Sequence, residues 1–196
     1  LREHPFSIST APDKGPDISF SIKPLGDDSR RLSQTPVDSV AWIDGPYGVF
    51  TIDREADAGG FVMIAGGVGI TPILANLHAL QARRDPRTIH LLYAKKDWDD
   101  VPFRDQLARI AQDIDLRVTH MIEEPPEPWD TGGHVAVKGR IDAAMLDQVL
   151  PDRNISTESP AIFVDTLARF EMQARGSPVA FSAIGSVGGA FSAAAG

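Results

Sequence analysis

The sequence predicts an α/β protein, a short antiparallel β portion followed by a doubly wound, five-stranded parallel sheet. Three observations carry this. Before Gly60 the apolar residues fall in short segments of period two, separated by turn residues. Phe61 to Pro72 reads as a buried strand, a bare glycine turn and a helix start. From Phe61 to Ile184 strand-like and helix-like segments alternate, which is the pattern of a parallel sheet with helices on its faces.

Phe6 and Ile8 alternate with Ser7 and Ser9, as in a half-buried strand, and Ile18 to Ile22 alternates as its hairpin partner after a Lys14-Gly15-Pro16 turn. Lys23 to Leu32 carries Gly26, Ser29, Arg30 and Arg31 at an expected helix start. That set suits either a bound pyrophosphate or a solvated charged turn. Val37 to Ile43 reads as a further strand, and Asp44-Gly-Pro-Tyr-Gly48 as a turn. A domain boundary is expected between residues 57 and 58.

Four apolar residues, Phe61 to Ile64, form the next expected strand. Gly66, Gly67 and Gly69 follow, and then Thr71 and Pro72. Thr71 suits a helix cap and Pro72 the first helical position, where no N–H is needed. Ile73, Leu74, Leu77 and Leu80 then fall on one helical side. Glycines at a helix N-terminus let a phosphate approach the backbone, and the helix dipole favours the negative charge. The alternative is a tight turn that binds nothing.

Thr88 to Tyr93 reads as a second parallel strand, with Lys95, Lys96 and Asp97 at its carboxyl end. Pro102 to Asp113 reads as a helix and Leu116 to Ile122 as a third strand. Glu123 to Gly133 is too rich in proline for an element, and Glu123 and Glu124 are expected to be solvated. Ala143 to Leu150 is expected as a helix, Pro160 to Val164 as a fourth strand, Thr166 to Arg175 as a helix and Val179 to Ile184 as a fifth strand. Residues 185–196 are small and of low complexity, expected as a flexible tail unless the reading frame has shifted.

Composition narrows the function. The 196-residue chain carries a formal charge of −8, which argues against a nucleic-acid partner, since that needs a basic face. It has no cysteine, so disulfides and thiolate metal sites are excluded, and its five scattered histidines suggest no metal site. No run reaches the roughly 18 apolar residues of a membrane span, so a soluble segment is expected. The abrupt start, in strand-like sequence, suggests a fragment of a longer protein.

Gly66-Gly67-Val68-Gly69-Ile70-Thr71-Pro72 resembles the pyridine-nucleotide motif of the ferredoxin–NADP reductase superfamily. The resemblance implies that this loop holds the NAD(P)H pyrophosphate and that Thr71 lies near the nicotinamide, where it contributes to catalysis. His4-Pro5-Phe6-Ser7, with Ile8, is similar to the flavin strand of ferric reductases and NADPH oxidase relatives. It implies a truncated antiparallel β-barrel (the flavin domain) over residues 1–57 and a NAD(P)-binding domain over 58–184. Phe6 would lie near the flavin ring, Ser7 would act at its N5, and His4 would face the phosphate or ribityl chain. Gly26, Ser29 and Arg30 match the element that holds the FAD pyrophosphate. Gly48 matches the turn below the flavin ring.

Lys96-Asp97 matches an Arg-Asp that meets the adenosine, which points to NADPH ahead of NADH, with either cofactor open. The implied activity is hydride transfer from NAD(P)H to FAD and onward electron transfer to a haem, iron or ferredoxin-type acceptor. An upstream membrane haem domain or a ferredoxin-type protein is the implied partner, with this segment on the cytoplasmic side. The alternative is a nucleotide-binding relic that transfers no hydride. The family's Cys-Gly-Pro after the fourth strand is replaced here by Asp165-Thr166-Leu167, which opposes productive binding of the reduced nicotinamide.

Overall fold

The computed structural model describes residues 4–11, 16–142, 146, 161–165, 181–184 and 190–192. At the centre of its sheet lies β1 (Gly60–Gly66). Successive side chains of a strand point to opposite faces, and β1 is apolar on both. Phe61, Met63 and Ala65 join one core cluster, and Val62 and Ile64 join another. A strand buried on both sides reads as a continuous apolar run, which is why Phe61 to Ile64 stood out in the sequence.

The other strands are β2 (Thr88–Asp97), β3 (Leu116–Glu124), β4 (Ala136–Lys138), β5 (Ala161–Asp165), β6 (Phe181–Ile184) and β7 (Ala190–Ser192). They lie in the order β4-β3-β2-β1-β5-β6-β7. All neighbours are parallel except β6 and β7. The sheet thus has seven strands where the sequence predicts five. The added β4 lies just after the expected Glu123–Gly133 loop, in a stretch given no element, and the added β7 lies in the segment expected to be a tail. Both are three residues long, too short to show a period, and they exist through pairing with β3 and β6.

Helix α2 (Ile70–Arg83) packs Ile73, Leu74, Leu77 and Leu80 on one face of the sheet, where Leu107 and Ile110 of α3 (Arg104–Ile110) join them. Leu92, Met121, Ile141 and Leu146 pack with Val62 and Ile64 on the other. Helix α3 is shorter than the expected Pro102–Asp113, because Phe103 takes a left-handed backbone (φ 63°) and the helix starts only after it. The helix expected over Thr166 to Arg175 lies outside the described residues. So does all of the one expected over Ala143 to Leu150 except Leu146.

Among the described residues before β1, the strands of the expected barrel are not formed. Strand pairing among the described residues there is limited to one antiparallel bridge, Ile8 with Phe20, beside which Ser9 N–H donates to the Ser19 carbonyl at 2.8 Å. The expected strand Val37 to Ile43 has no partner, and Trp42 is 94% and Tyr47 81% exposed. Alternating residues make a strand only against a neighbour that takes up the backbone N–H and C=O groups. Helix α1 (Asp27–Ser33) is the regular element of this portion.

The segment leading into β1 is firmly tied to the sheet domain. Asn76 of α2 accepts from Ile52 N–H (3.2 Å) and donates to the Phe50 and Pro72 carbonyls. Arg87 donates to the carbonyls of Glu55, Ala56 and Ala58 and lies 4.4 Å over the Phe61 ring. Among the described residues no helix is long and apolar enough to cross a membrane.

Candidate nucleotide site

Strands β2, β3 and β4 add on one side of β1 in chain order, and the chain then returns to place β5 on its other side. This reversal opens a crevice at the carboxyl ends of β1 and β5, where doubly wound sheets bind ligands. Gly66 ends β1 there, and Gly67–Gly69 makes one 3-10 turn that runs straight into α2. The helix therefore starts at Ile70, capped by Gly69, and Thr71 and Pro72 are its second and third residues. The expected cap at Thr71 and first position at Pro72 are thus each displaced inward. The cause is Gly69, whose backbone is already right-handed helical (φ −61°).

Two side chains hold the loop. The Tyr93 hydroxyl of β2 donates to the Gly67 carbonyl at 3.2 Å, and the Thr71 hydroxyl donates to the Val68 carbonyl at 2.8 Å. A trans peptide is planar, so its C=O and N–H point in opposite directions. Holding the Gly67 carbonyl on Tyr93 therefore turns the Val68 N–H away from that buried phenol. Holding the Val68 carbonyl turns the Gly69 N–H away from Thr71. Burial, and then the charge of Asp100, pushes the Tyr93 phenol above its usual range, so it keeps the proton it donates. Thr71 is 2% exposed.

Gly67 has φ +56°, and a Cβ built there meets nothing within 4 Å. The loop thus combines a backbone conformation that suits glycine with open space above it. N–H groups, the positive end of a 14-residue helix and a clear approach fit a dinucleotide pyrophosphate. Asp165 pairs with Ala65, which places it at the end of β5 beside this loop.

Lys96 lies within β2, not in a loop after it. It is 3.3 Å from Glu124 at the end of β3, whose backbone is in register with Asp97. Lys95 bonds Asp100 at 2.8 Å, and Glu123 pairs with Arg140. Glu123 and Glu124 are therefore ion-paired, not simply solvated.

The flavin-strand residues sit apart in the N-terminal portion. His4, Pro5, Phe6 and Ser7 are exposed, and Ile8 makes the bridge to Phe20. His4 Nε2 is 3.6 Å from Asp28 of α1, which brings the strand beside the Gly26–Arg30 turn. There the Ser29 hydroxyl accepts from the Leu25 and Gly26 N–H groups (2.9 Å each) and donates to the Gly26 carbonyl. Arg30 Nε reaches the same carbonyl at 3.4 Å. Gly48 has φ +105° with open space at its Cβ position.

Sequence reasoning missed Tyr93, Glu124 and Asn76. A hydroxyl at the end of the strand-like segment Ile89 to Tyr93 was the one available signal for Tyr93, and only the register shows that it reaches Gly67.

Comparisons agree with this geometry. Residues 63–164 match the family described as Oxidoreductase NAD-binding domain. NADH-cytochrome b5 reductase 1 of Ajellomyces capsulatus is 29% identical over 162 residues, which cover 78% of this chain and 51% of that protein. The chain spans about half the length of the curated relatives it matches.

The cytochrome b5 reductase domain of Ulva prolifera nitrate reductase superposes with a TM-score of 0.63. It is 19% identical, over 81% of this chain and 66% of that one. A ferredoxin NADP+ reductase from Neisseria gonorrhoeae, solved with bound FAD and NADP, superposes with a TM-score of 0.57. It is 18% identical, over 82% of this chain and 65% of that one. The loop at the switch point, the sheet order around it and the family match over residues 63–164 together show that this chain belongs to the oxidoreductase NAD-binding domain family.

Proposed function

We propose that this chain is the nucleotide-binding part of a flavin-dependent NAD(P)H oxidoreductase. The observation that carries it is the Gly66–Gly69 loop at the carboxyl end of β1, whose carbonyls are held by Tyr93 and Thr71 and which leaves open space at the Gly67 Cβ position. Val68 and Gly69 N–H groups would meet the pyrophosphate, the α2 N-terminus would balance its charge, and the end of β5 would lie toward the nicotinamide.

The likeness of His4–Ser7 and of Gly26–Arg30 to flavin-binding elements supports FAD as the second cofactor. Phe6 and Ser7 would face the flavin ring, and His4, Gly26, Ser29 and Arg30 adjoin where its pyrophosphate would lie, with Gly48 beneath the ring. When bound, such a flavin takes a hydride from reduced nicotinamide and passes electrons on singly. The acceptor is a haem, iron or ferredoxin-type centre, and a parent protein with a haem portion at a membrane, holding this segment on the cytoplasmic side, is the partner arrangement proposed.

Calorimetric titration of the chain with NAD+ and NADP+ tests the nucleotide site. Binding of at least one, competed by the other, is expected; heat from neither refutes the site. Flavin fluorescence tests the second cofactor. FAD should bind ahead of FMN, weakly, since residues 37–50 lack rigid support, and tight FMN binding without an FAD preference refutes it.

A further inference from the structure

The carboxyl ends of β2 and β3 gather charges that the pyrophosphate site does not use. In a doubly wound sheet the adenosine ribose lies beyond the strand that follows the glycine loop, which here is β2. Its last residues, Lys95 and Lys96, are the cations positioned to meet a 2′-phosphate. Each is already held by a carboxylate, Lys95 by Asp100 at 2.8 Å and Lys96 by Glu124 at 3.3 Å. Arg140, a further cation at this edge, is held by Glu123. Asp97 and Asp99 stand exposed beside them.

We propose that Glu124 sets this site for NADH and against NADPH. The proposal rests on the dinucleotide assignment of the glycine loop and adds which adenosine ribose that site accepts. The 2′-hydroxyl of NADH can donate to a carboxylate at this edge. The 2′-phosphate of NADPH, nearly dianionic, meets Glu124 and Asp97 and finds Lys96 occupied. Lysine is a point charge without arginine's planar fork, so it cannot serve a carboxylate and a phosphate together in two well-formed bidentate contacts. Glu124 thus acts twice, as a like charge facing the phosphate and as the group that withholds Lys96 from it. The expectation from Lys96-Asp97 alone, NADPH ahead of NADH, reverses once β3 places Glu124 on Lys96.

Calorimetry with NAD+ and NADP+ on the full chain and on Glu124→Gln, Lys96→Ala and the double variant tests this. The unaltered chain should bind NAD+ more tightly. Glu124→Gln should gain about threefold to tenfold for NADP+ with little change for NAD+, the range expected for exposed charges acting in pairs. Lys96→Ala added to Glu124→Gln should remove that gain, and the NAD+ preference of the unaltered chain should narrow with added salt. Preference for NADP+ in the unaltered chain, or equal changes for both nucleotides in Glu124→Gln, overturns the role of Glu124 while leaving the glycine-loop site standing. Binding of neither nucleotide to the unaltered chain overturns both.

Discussion

Substitution at Gly67 separates the structural role of the loop from its binding role. Its φ of +56° lies in the left-handed region, and a Cβ there meets nothing within 4 Å. The cost to the free protein is therefore backbone strain without a clash, about 1–2 kcal/mol for an ordinary L-residue. For a chain of this size that is a fall in Tm of about 2–8 °C. Asparagine tolerates the left-handed region, so Gly67→Asn should melt closer to the unaltered protein than Gly67→Ala does. Gly67→Val, with a β-branched side chain, should be the least stable of the three. Binding should follow another order, because in the proposed site the pyrophosphate would come down into the open space above Gly67. Both Asn and Val would project into it, and each should weaken dinucleotide binding by at least about tenfold, or 1.4 kcal/mol. Thermal melts give the first series and calorimetry with NAD+ the second. If Gly67→Asn keeps the original affinity, the loop is a structural turn and the assignment of the site is wrong.

Tyr93→Phe removes the hydroxyl that holds the Gly67 carbonyl. It should cost about 0.5–1.5 kcal/mol in denaturant unfolding and weaken dinucleotide binding, whereas a loss of stability with unchanged affinity would show that the Val68 N–H orientation does not depend on it. His120 gives a pH test. It is 1% exposed, its Nδ1 has no hydrogen-bond partner, and it packs edge-on against Trp98 and His134. Burial, with the charges of His134 and Arg104 beside it, pushes its imidazole down to about 4 from 6.5.

A depressed histidine favours the neutral folded form, so its contribution is complete above about pH 6.5 and is lost as pH falls toward 4. The loss is on the order of 3 kcal/mol. His120→Phe should flatten the stability profile between pH 7 and 4 in urea titrations, and an unchanged acid loss would place its cause elsewhere. For the end of β5, anaerobic stopped-flow of the FAD-loaded chain with NADH should show flavin reduction well below the usual enzymatic range of about 1–10³ per second. Cys-Gly-Pro at positions 165–167 should restore part of the rate, and rapid reduction without that change would refute the effect assigned to Asp165-Thr166.

The parallel sheet and its glycine loop were legible in the sequence because their signals are local. Phe61 to Ile64 is apolar without interruption, and Ile89 to Leu92 is apolar except for His90, as suits strands covered on both faces. Three glycines in Gly66 to Gly69 can serve few purposes other than a close turn. What the loop is held by was not legible. Tyr93 and Gly67 are 26 residues apart and meet only through the parallel register of β1 and β2.

The same holds for Lys96 and Glu124. In the sequence they are a basic pair on one segment and an acidic pair on another. Only the adjacent strand ends bring them within 3.3 Å of each other. Strand pairing also decided the opposite outcomes of β7 and of Val37 to Ile43. Ala190–Ser192, without a periodic signal, is a strand because β6 offers it an edge, while Val37 to Ile43, with good strand residues, is not, because among the described residues no strand pairs with it. Local sequence specifies which segments can be strands; hydrogen-bonding partners and charge neighbours exist only once the chain has folded.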